Sequence, residues 1–160
     1  LDRINRKHDV ACFADAVRRI KNFPALKICG HIILGLPGEN REMMLDSARL
    51  LSDLGVHGVK IHLLHVLKDT PLEEMYARGE LKVFDFSTYV NLVADYLELL
   101  APEIVIQRLT ADAPSDMLIA PAWAVEKKRT IDRIEKELLK RNTRQGEKRN
   151  EDSRFREASV

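Results

Sequence analysis

Five histidines, His8, His31, His57, His62 and His65, have the widest chemical range in this 160-residue chain. An imidazole can ligate a metal or exchange a proton near neutral pH. Their spacing argues against a metal. His62 and His65 stand three apart in a stretch that reads as a strand, which sends them to opposite faces, and neither HxH nor HExxH occurs. No metal site is expected within the chain. Cys12 and Cys29 are the only cysteines, without CxxC-type spacing, so a disulfide scaffold, a zinc site and a cysteine-ligated cluster are all excluded for this chain. Neither GxGxxG, GxxxxGK[ST] nor GxSxG occurs. The segment GHIILGLPGE, Gly30 to Glu39, offers a tight turn in which Gly35-Leu36-Pro37-Gly38 lets a ligand approach the backbone, near the free amides of the next helix. Gln107, Arg108, Thr110 and Asp112 form a polar group running off an apolar strand, and are the substrate-side candidates. An ordinary βα turn and a surface Arg108–Asp112 pair are the simpler readings of these two features.

The elements that must position these groups alternate. Asp9 caps a helix with Val10, Phe13, Ala14, Val17 and Ile20 on one face, closed by Phe23-Pro24. A first strand follows over Leu26 to Leu34. Asn40 then caps a helix with Met44, Leu45, Ala48, Leu51 and Leu54 inward. A second strand spans Val59 to Val66, and Pro71 opens a short helix ending at Gly79. Ser87 caps a long helix closed by Pro102, Glu103 to Leu109 is a third strand, and Thr110 to Pro121 reads as a structured loop. A last helix runs from Trp123 to Arg141. Strands alternating with helices predict a parallel α/β layer or barrel, in which the carboxyl ends of the strands share one face with the opening turn and His65. Three strands are fewer than a closed barrel needs, and their unpaired edge calls for a partner.

Composition bounds the rest. Hydrophobic residues at 45% and charged residues at 32% suit a globular domain, and a net charge of +1 makes no global case for nucleic acid or anionic membrane. Residues 126 to 160 carry 12 Lys/Arg against 8 Asp/Glu, so basic character gathers at the end. Residues 142 to 160 are almost without hydrophobics and are expected to be a disordered polar tail. There is no apolar run of membrane-spanning length and no signal peptide, and two unlinked cysteines suit a reducing compartment, so the expected location is cytoplasmic, away from membranes. The chain starts at Leu1 and reads as a piece of a longer protein.

Three segments in order, INRKH (Ile4 to His8), HIILGLPGE (His31 to Glu39) and IHLLHVLKDTPL (Ile61 to Leu72), resemble the radical S-adenosylmethionine superfamily, in its coproporphyrinogen-dehydrogenase-like and Elongator-like branch. IVIQRLTADAP (Ile104 to Pro114), LIAPAW (Leu118 to Trp123) and RNTRQG (Arg141 to Gly146) narrow the likeness to the YhcC/YtqA-like subgroup. The resemblance implies the carboxyl-terminal half of a partial (βα)6 TIM-like barrel. Residues 1–122 would hold half the barrel plus an extension strand, 123–141 a terminal helix, and 142–160 the polar tail. It implies that Arg6 meets the methionine carboxylate of S-adenosylmethionine, a role suited to a bidentate guanidinium. His31 would face the ribose, where the family often carries an acidic or polar residue. Ile33 would pack on the adenine, Gly35 would allow close approach, and Leu64 and His65 would offer backbone groups to the adenine edge.

The family's cluster-binding CxxxCxxC is missing, and Cys12 and Cys29 do not replace it. The resemblance therefore implies a [4Fe-4S] cluster only in the full-length protein. Such an oxidoreductase cleaves S-adenosylmethionine to a 5′-deoxyadenosyl radical, with its amino-terminal half as this chain's partner. The chain alone is expected to be inactive. Elongator-like relatives act on transfer RNA at the wobble uridine, and Lys127, Lys128, Arg129, Arg133, Lys136, Lys140 and Arg141 could meet phosphates. Interleaved Glu126, Asp132, Glu135 and Glu137 equally describe a solvated helix face. The alternative from another class is a non-catalytic α/β binding module or a paralogue that has lost its cluster. A flavodoxin-like phosphate binder would need a phosphate loop, and none is found.

Overall fold

The computed structural model describes residues 8–112 and 114–149. Five α-helices, five short strands and one 3-10 turn follow one another among them. These are α1 (Val10–Ile20), β1 (Cys29–Leu34), α2 (Arg41–Asp53), β2 (Gly58–Leu63), β3 (Val66–Leu67), α3 (Pro71–Ala77), α4 (Phe86–Leu99), β4 (Val105–Arg108), β5 (Leu118–Ala120), the 3-10 turn Ala122–Val125, and α5 (Lys127–Lys140).

The helices start where short polar side chains can accept from free first-turn amides. Asp9 accepts from the Cys12 amide at 2.8 Å, Asn40 from the Met43 amide at 2.9 Å, and Thr70 caps α3 ahead of Pro71. At α4 the cap is Asp85, which accepts from the Thr88 amide at 3.0 Å, and not Ser87 as expected. The helix begins two residues early because Phe86 is already wanted in the core, edge-on to Trp123 at 5.4 Å.

β1, β2 and β4 form one parallel sheet in the order β1-β2-β4, so their carboxyl ends do share a side. Side chains alternate across it. Leu34, Val59, Ile61 and Leu63 point into the core formed with α2 and α4, where Leu51, Tyr89, Val93 and Tyr96 are buried, and α5 packs behind α4. Cys29, His31, Ile33, Lys60 and His62 occupy the other face, which no element among the described residues covers.

Three expectations need correction. The first strand begins at Cys29 rather than Leu26, because the Leu26 amide is tied into a turn on the Phe23 carbonyl. The second ends at Leu63, where Leu64 bonds back to Leu34 and the chain leaves the sheet. Val66–Leu67 then pairs antiparallel with Leu118–Ala120, a strand hidden in what read as a proline-bounded loop. Third, residues 142–149 are not a loose tail. The Gly146 amide donates to the Leu97 carbonyl, the Lys148 amide to Glu98, and the Gln145 side chain to the carbonyls of Ala101 and Ile104. Gly146 adopts φ +80°, and a Cβ there would lie 2.8 Å from the Pro102 ring. This strap also delivers charge. Lys148 reaches the 1%-exposed Glu98 at 2.5 Å, while Arg141 holds Asp95 at 2.8 Å and Glu137 at 3.0 Å.

Candidate functional site at the carboxyl ends of the parallel strands

The turn after β1 closes on itself. The Leu36 amide donates to the Glu39 carboxylate at 3.1 Å, the Glu39 amide donates to the Leu36 carbonyl, and the Gly35 amide meets the Met44 sulfur at 3.2 Å. Burial pushes the Glu39 carboxyl above its usual range, with the Leu36 and Gly35 amides pulling it back. Gly35 has φ +92°, and a Cβ on it would sit 2.8 Å from the Phe84 ring. Its need for glycine is thus set by backbone conformation and by Phe84 packing.

Two lumps of unspent chemistry lie beside this turn. His31 and His62 stack with ring centroids 5.9 Å apart. The strand ends before His65, so the alternation that would separate it from His62 does not reach that far, and the two imidazoles lie close enough to influence each other. Burial lowers the pKa of His62, helped by Arg108, His31, His65 and Lys60. Burial also lowers His65, with Asp112 opposing. Both rings are therefore held toward the neutral form, and among the described residues the Nε2 atoms of both are buried without a hydrogen-bond partner. Ile33 is 37% exposed on the same face.

The expected site residues divide. His31, Ile33, Gly35, Leu64, His65, Arg108 and Asp112 are grouped at or near the carboxyl ends of the strands. Leu64 is buried, with its amide spent on Leu34. Asp112 is paired with Lys127 at 2.8 Å and not with Arg108, and this holds its carboxyl below the usual range. Thr110 is fully buried beside Tyr89. Gln107 turns the other way, its amide over Gly58, and lines a cavity of about 650 Å3 at the opposite end of the sheet. Arg6 lies outside the described residues. His57 is a structural group, its Nδ1 accepting from the Ile28 amide at 3.1 Å. Lys60 and His62 were not singled out as binding residues by the sequence. Their place opposite His31 and Ile33 becomes visible only with the register.

Along the free edge of β1 runs a groove of about 350 Å3, with Asp9, Phe13, Ile33, Leu36, Glu39 and Met44 in its walls. The edge itself has no strand beside it among the described residues.

Against known proteins, the family profile described as the Radical_SAM C-terminal domain matches residues 56–140. The Bacillus subtilis protein YtqA is 43% identical over 143 residues, which cover 89% of this chain and 44% of that protein. A tRNA uridine(34) acetyltransferase of Dehalococcoides mccartyi is 28% identical over 120 residues, 73% of this chain and 26% of that protein. Among solved structures, Elp3 of Methanocaldococcus infernus with its N-terminus deleted superimposes with a TM-score of 0.71 at 23% identity, over 88% of this chain and 33% of that one. The chain thus spans less than half the length of these relatives.

Proposed function

From the premise that the chain belongs to the radical SAM family through its Radical_SAM C-terminal domain, we propose that it supplies the adenosine-contacting half of a radical S-adenosylmethionine site. The observation that carries this reading is the bare face of the parallel sheet. A face that exposes Ile33 and leaves two buried imidazole nitrogens unpartnered is unfinished, and is completed by a ligand or by further chain.

The residues present fit S-adenosylmethionine and do not fit its cluster. The family's CxxxCxxC motif would supply three thiolates to such a cluster. This chain has two cysteines, Cys12 exposed on α1 and Cys29 at the start of β1, and no metal-holding group of three ligands exists among the described residues. The cluster would have to be held by other polypeptide. For the nucleoside the residue types are suitable. Ile33 would pack on the adenine, with His31 toward the ribose, and the Nε2 of His65 would add a polar contact beside the Leu64 carbonyl and the His65 backbone at the base edge. Arg6 would meet the methionine carboxylate. Gly35 serves the site indirectly, by fixing the turn against Phe84. When bound, this cofactor supplies hydrogen abstraction through a 5′-deoxyadenosyl radical. The chain's own part is to orient the nucleoside and keep water from it.

The free edge of β1 favours a partner strand over an open sheet, so the barrel would be completed by an amino-terminal half laid along that edge. Transfer RNA is the substrate class suggested by the name of the Dehalococcoides relative, a tRNA uridine(34) acetyltransferase. Lys128, Arg133 and Lys136 on α5, with Arg129 lying 4.8 Å over the Phe86 ring, offer it a cationic side. A salt titration against transfer RNA tests that part, and no affinity even at low salt removes it.

The test of the main reading uses the chain together with a three-cysteine loop, in one polypeptide or two, reconstituted anaerobically and reduced. 5′-Deoxyadenosine is expected, and its yield should fall on Ile33→Asp or His31→Ala. A loaded cluster that gives no 5′-deoxyadenosine with any reductant overturns the proposal.

A further inference from the structure

One cross-strand row on the open face is basic from end to end. His31, Lys60 and Arg108 are register partners through β1, β2 and β4. His62 stands one pleat nearer the carboxyl ends, stacked on His31. Arg108 enters the row only because the register shifts between Val59 and Lys60. Without that bulge Lys60 would face Gln107. A bulge that re-aims one side chain is a common device beside binding sites.

This charge has no internal answer. Neither Lys60 nor Arg108 has a carboxylate at ion-pair distance among the described residues. The acid that feels Arg108, Asp112, is already bound to Lys127 at 2.8 Å. His62 keeps a buried Nε2 with no partner, and the groups facing it are Arg108, His31, His65 and Lys60, none of them an acceptor with negative charge. Two fixed cations and an orphaned imidazole on half-buried strand positions are costly to leave uncompensated. A compact oxyanion would satisfy all three at once. It can take charge-assisted hydrogen bonds from the ammonium and the guanidinium, and it favours a proton on His62.

We propose that Lys60, His62 and Arg108, walled on one side by His31, form a receptor for a carboxylate or phosphate group of the substrate. The receptor would hold that group on the open face below the nucleoside. It rests on reading that face as the inside of the radical site, and it narrows the substrate class to molecules that carry an oxyanion. The row sits on strands in a half-buried face, unlike the exposed cations of α5, so it suits one compact group better than a run of backbone phosphates.

The experiment follows the imidazole resonances of the full chain by NMR while inorganic phosphate, or separately succinate, is added at constant ionic strength. The His62 ring should shift saturably with at least one of the two, and the stronger response tells phosphate from carboxylate. Lys60→Gln or Arg108→Gln should each weaken the response about tenfold, the scale of one charged hydrogen bond. Arg108→Lys should recover part of it, and Lys128→Gln on α5 should change nothing. Far-UV circular dichroism establishes that each variant is folded. No saturable shift at His62 with either anion, or an undiminished shift in the folded Lys60→Gln/Arg108→Gln double variant, overturns the proposal. No cofactor or cluster is present in this titration, so its failure is distinguishable from a failure to form 5′-deoxyadenosine.

Discussion

The two faces of one three-stranded sheet have been treated in opposite ways. Toward α2 and α4 the strands present Leu34, Val59, Ile61 and Leu63, all buried and apolar. Toward the other side the same strands present Cys29, His31, Ile33, Lys60, His62 and Arg108, none of them fully buried. The first face is a finished core, and its residue types follow from burial alone. The second has two cations and the unpartnered imidazole of His62 packed onto strand positions, where β-branched or aromatic residues are the usual filling. A sheet whose only task was to hold α2 and α4 would not need them. On the function proposed above, chemistry belongs to the open side and stability to the closed one.

Substitutions test that division. Ile61→Ala removes a fully buried side chain at the centre of the closed face and should cost about 2–5 kcal/mol in a denaturant titration. A cost below about 1 kcal/mol would mean that the closed face is not the main core. Arg141→Ala, which strips Asp95, Glu98 and Glu137 of a shared partner that is itself partly exposed, should cost about 2–3 kcal/mol. Acid should act next. The folded pKa values of His62 and His65 lie below the ordinary 6.5, so the unfolded chain takes up protons more readily. Stability is then fully present above pH 6.5 and declines as pH falls below it toward the folded values. The thermal midpoint should fall on acidification through this window, and His65→Asn should flatten the slope. The smallest effect is the most telling. Ile33→Ser on the open face should change stability by no more than about 0.5 kcal/mol, yet abolish retention of the nucleoside. Equal costs for Ile61→Ala and Ile33→Ser would erase the contrast between the faces.

Much of the closed face was legible in the sequence, because helical spacing in Met44, Leu45, Ala48 and Leu51 and the capping residues Asp9 and Asn40 are local signals. The three strands of the parallel sheet and the parallel α/β class were legible for the same reason. The half-barrel and the roles proposed for Arg6, His31 and Ile33 rest on resemblance to a family, not on pattern. What stayed hidden was non-local. β5 is three residues long and exists because Val66–Leu67 leaves the main sheet to pair with it. The Lys60–Arg108 row depends on a one-residue bulge, which has no signature in composition. Residues 142–149 looked like tail because they are polar, and their order comes from carbonyls of α4 and from Glu98, a charge the core face of that helix does not advertise. Asp112 read as a partner for Arg108 since the two are close in sequence, whereas folding brings Lys127 to it instead.

The strap also sets a schedule. Glu98 is enclosed by the core, yet the cation that neutralises it most closely, Lys148, is made 50 residues later. On a ribosome, α4 and its sheet emerge while that carboxylate still lacks its counter-ion. The helix can settle fully only after residues 142–149 have emerged. Newly made chains should therefore gain protease resistance in one step, as residues 142–149 are delivered. A stop codon placed just after Arg141 would leave every described strand in hand but α4 without Lys148 on Glu98.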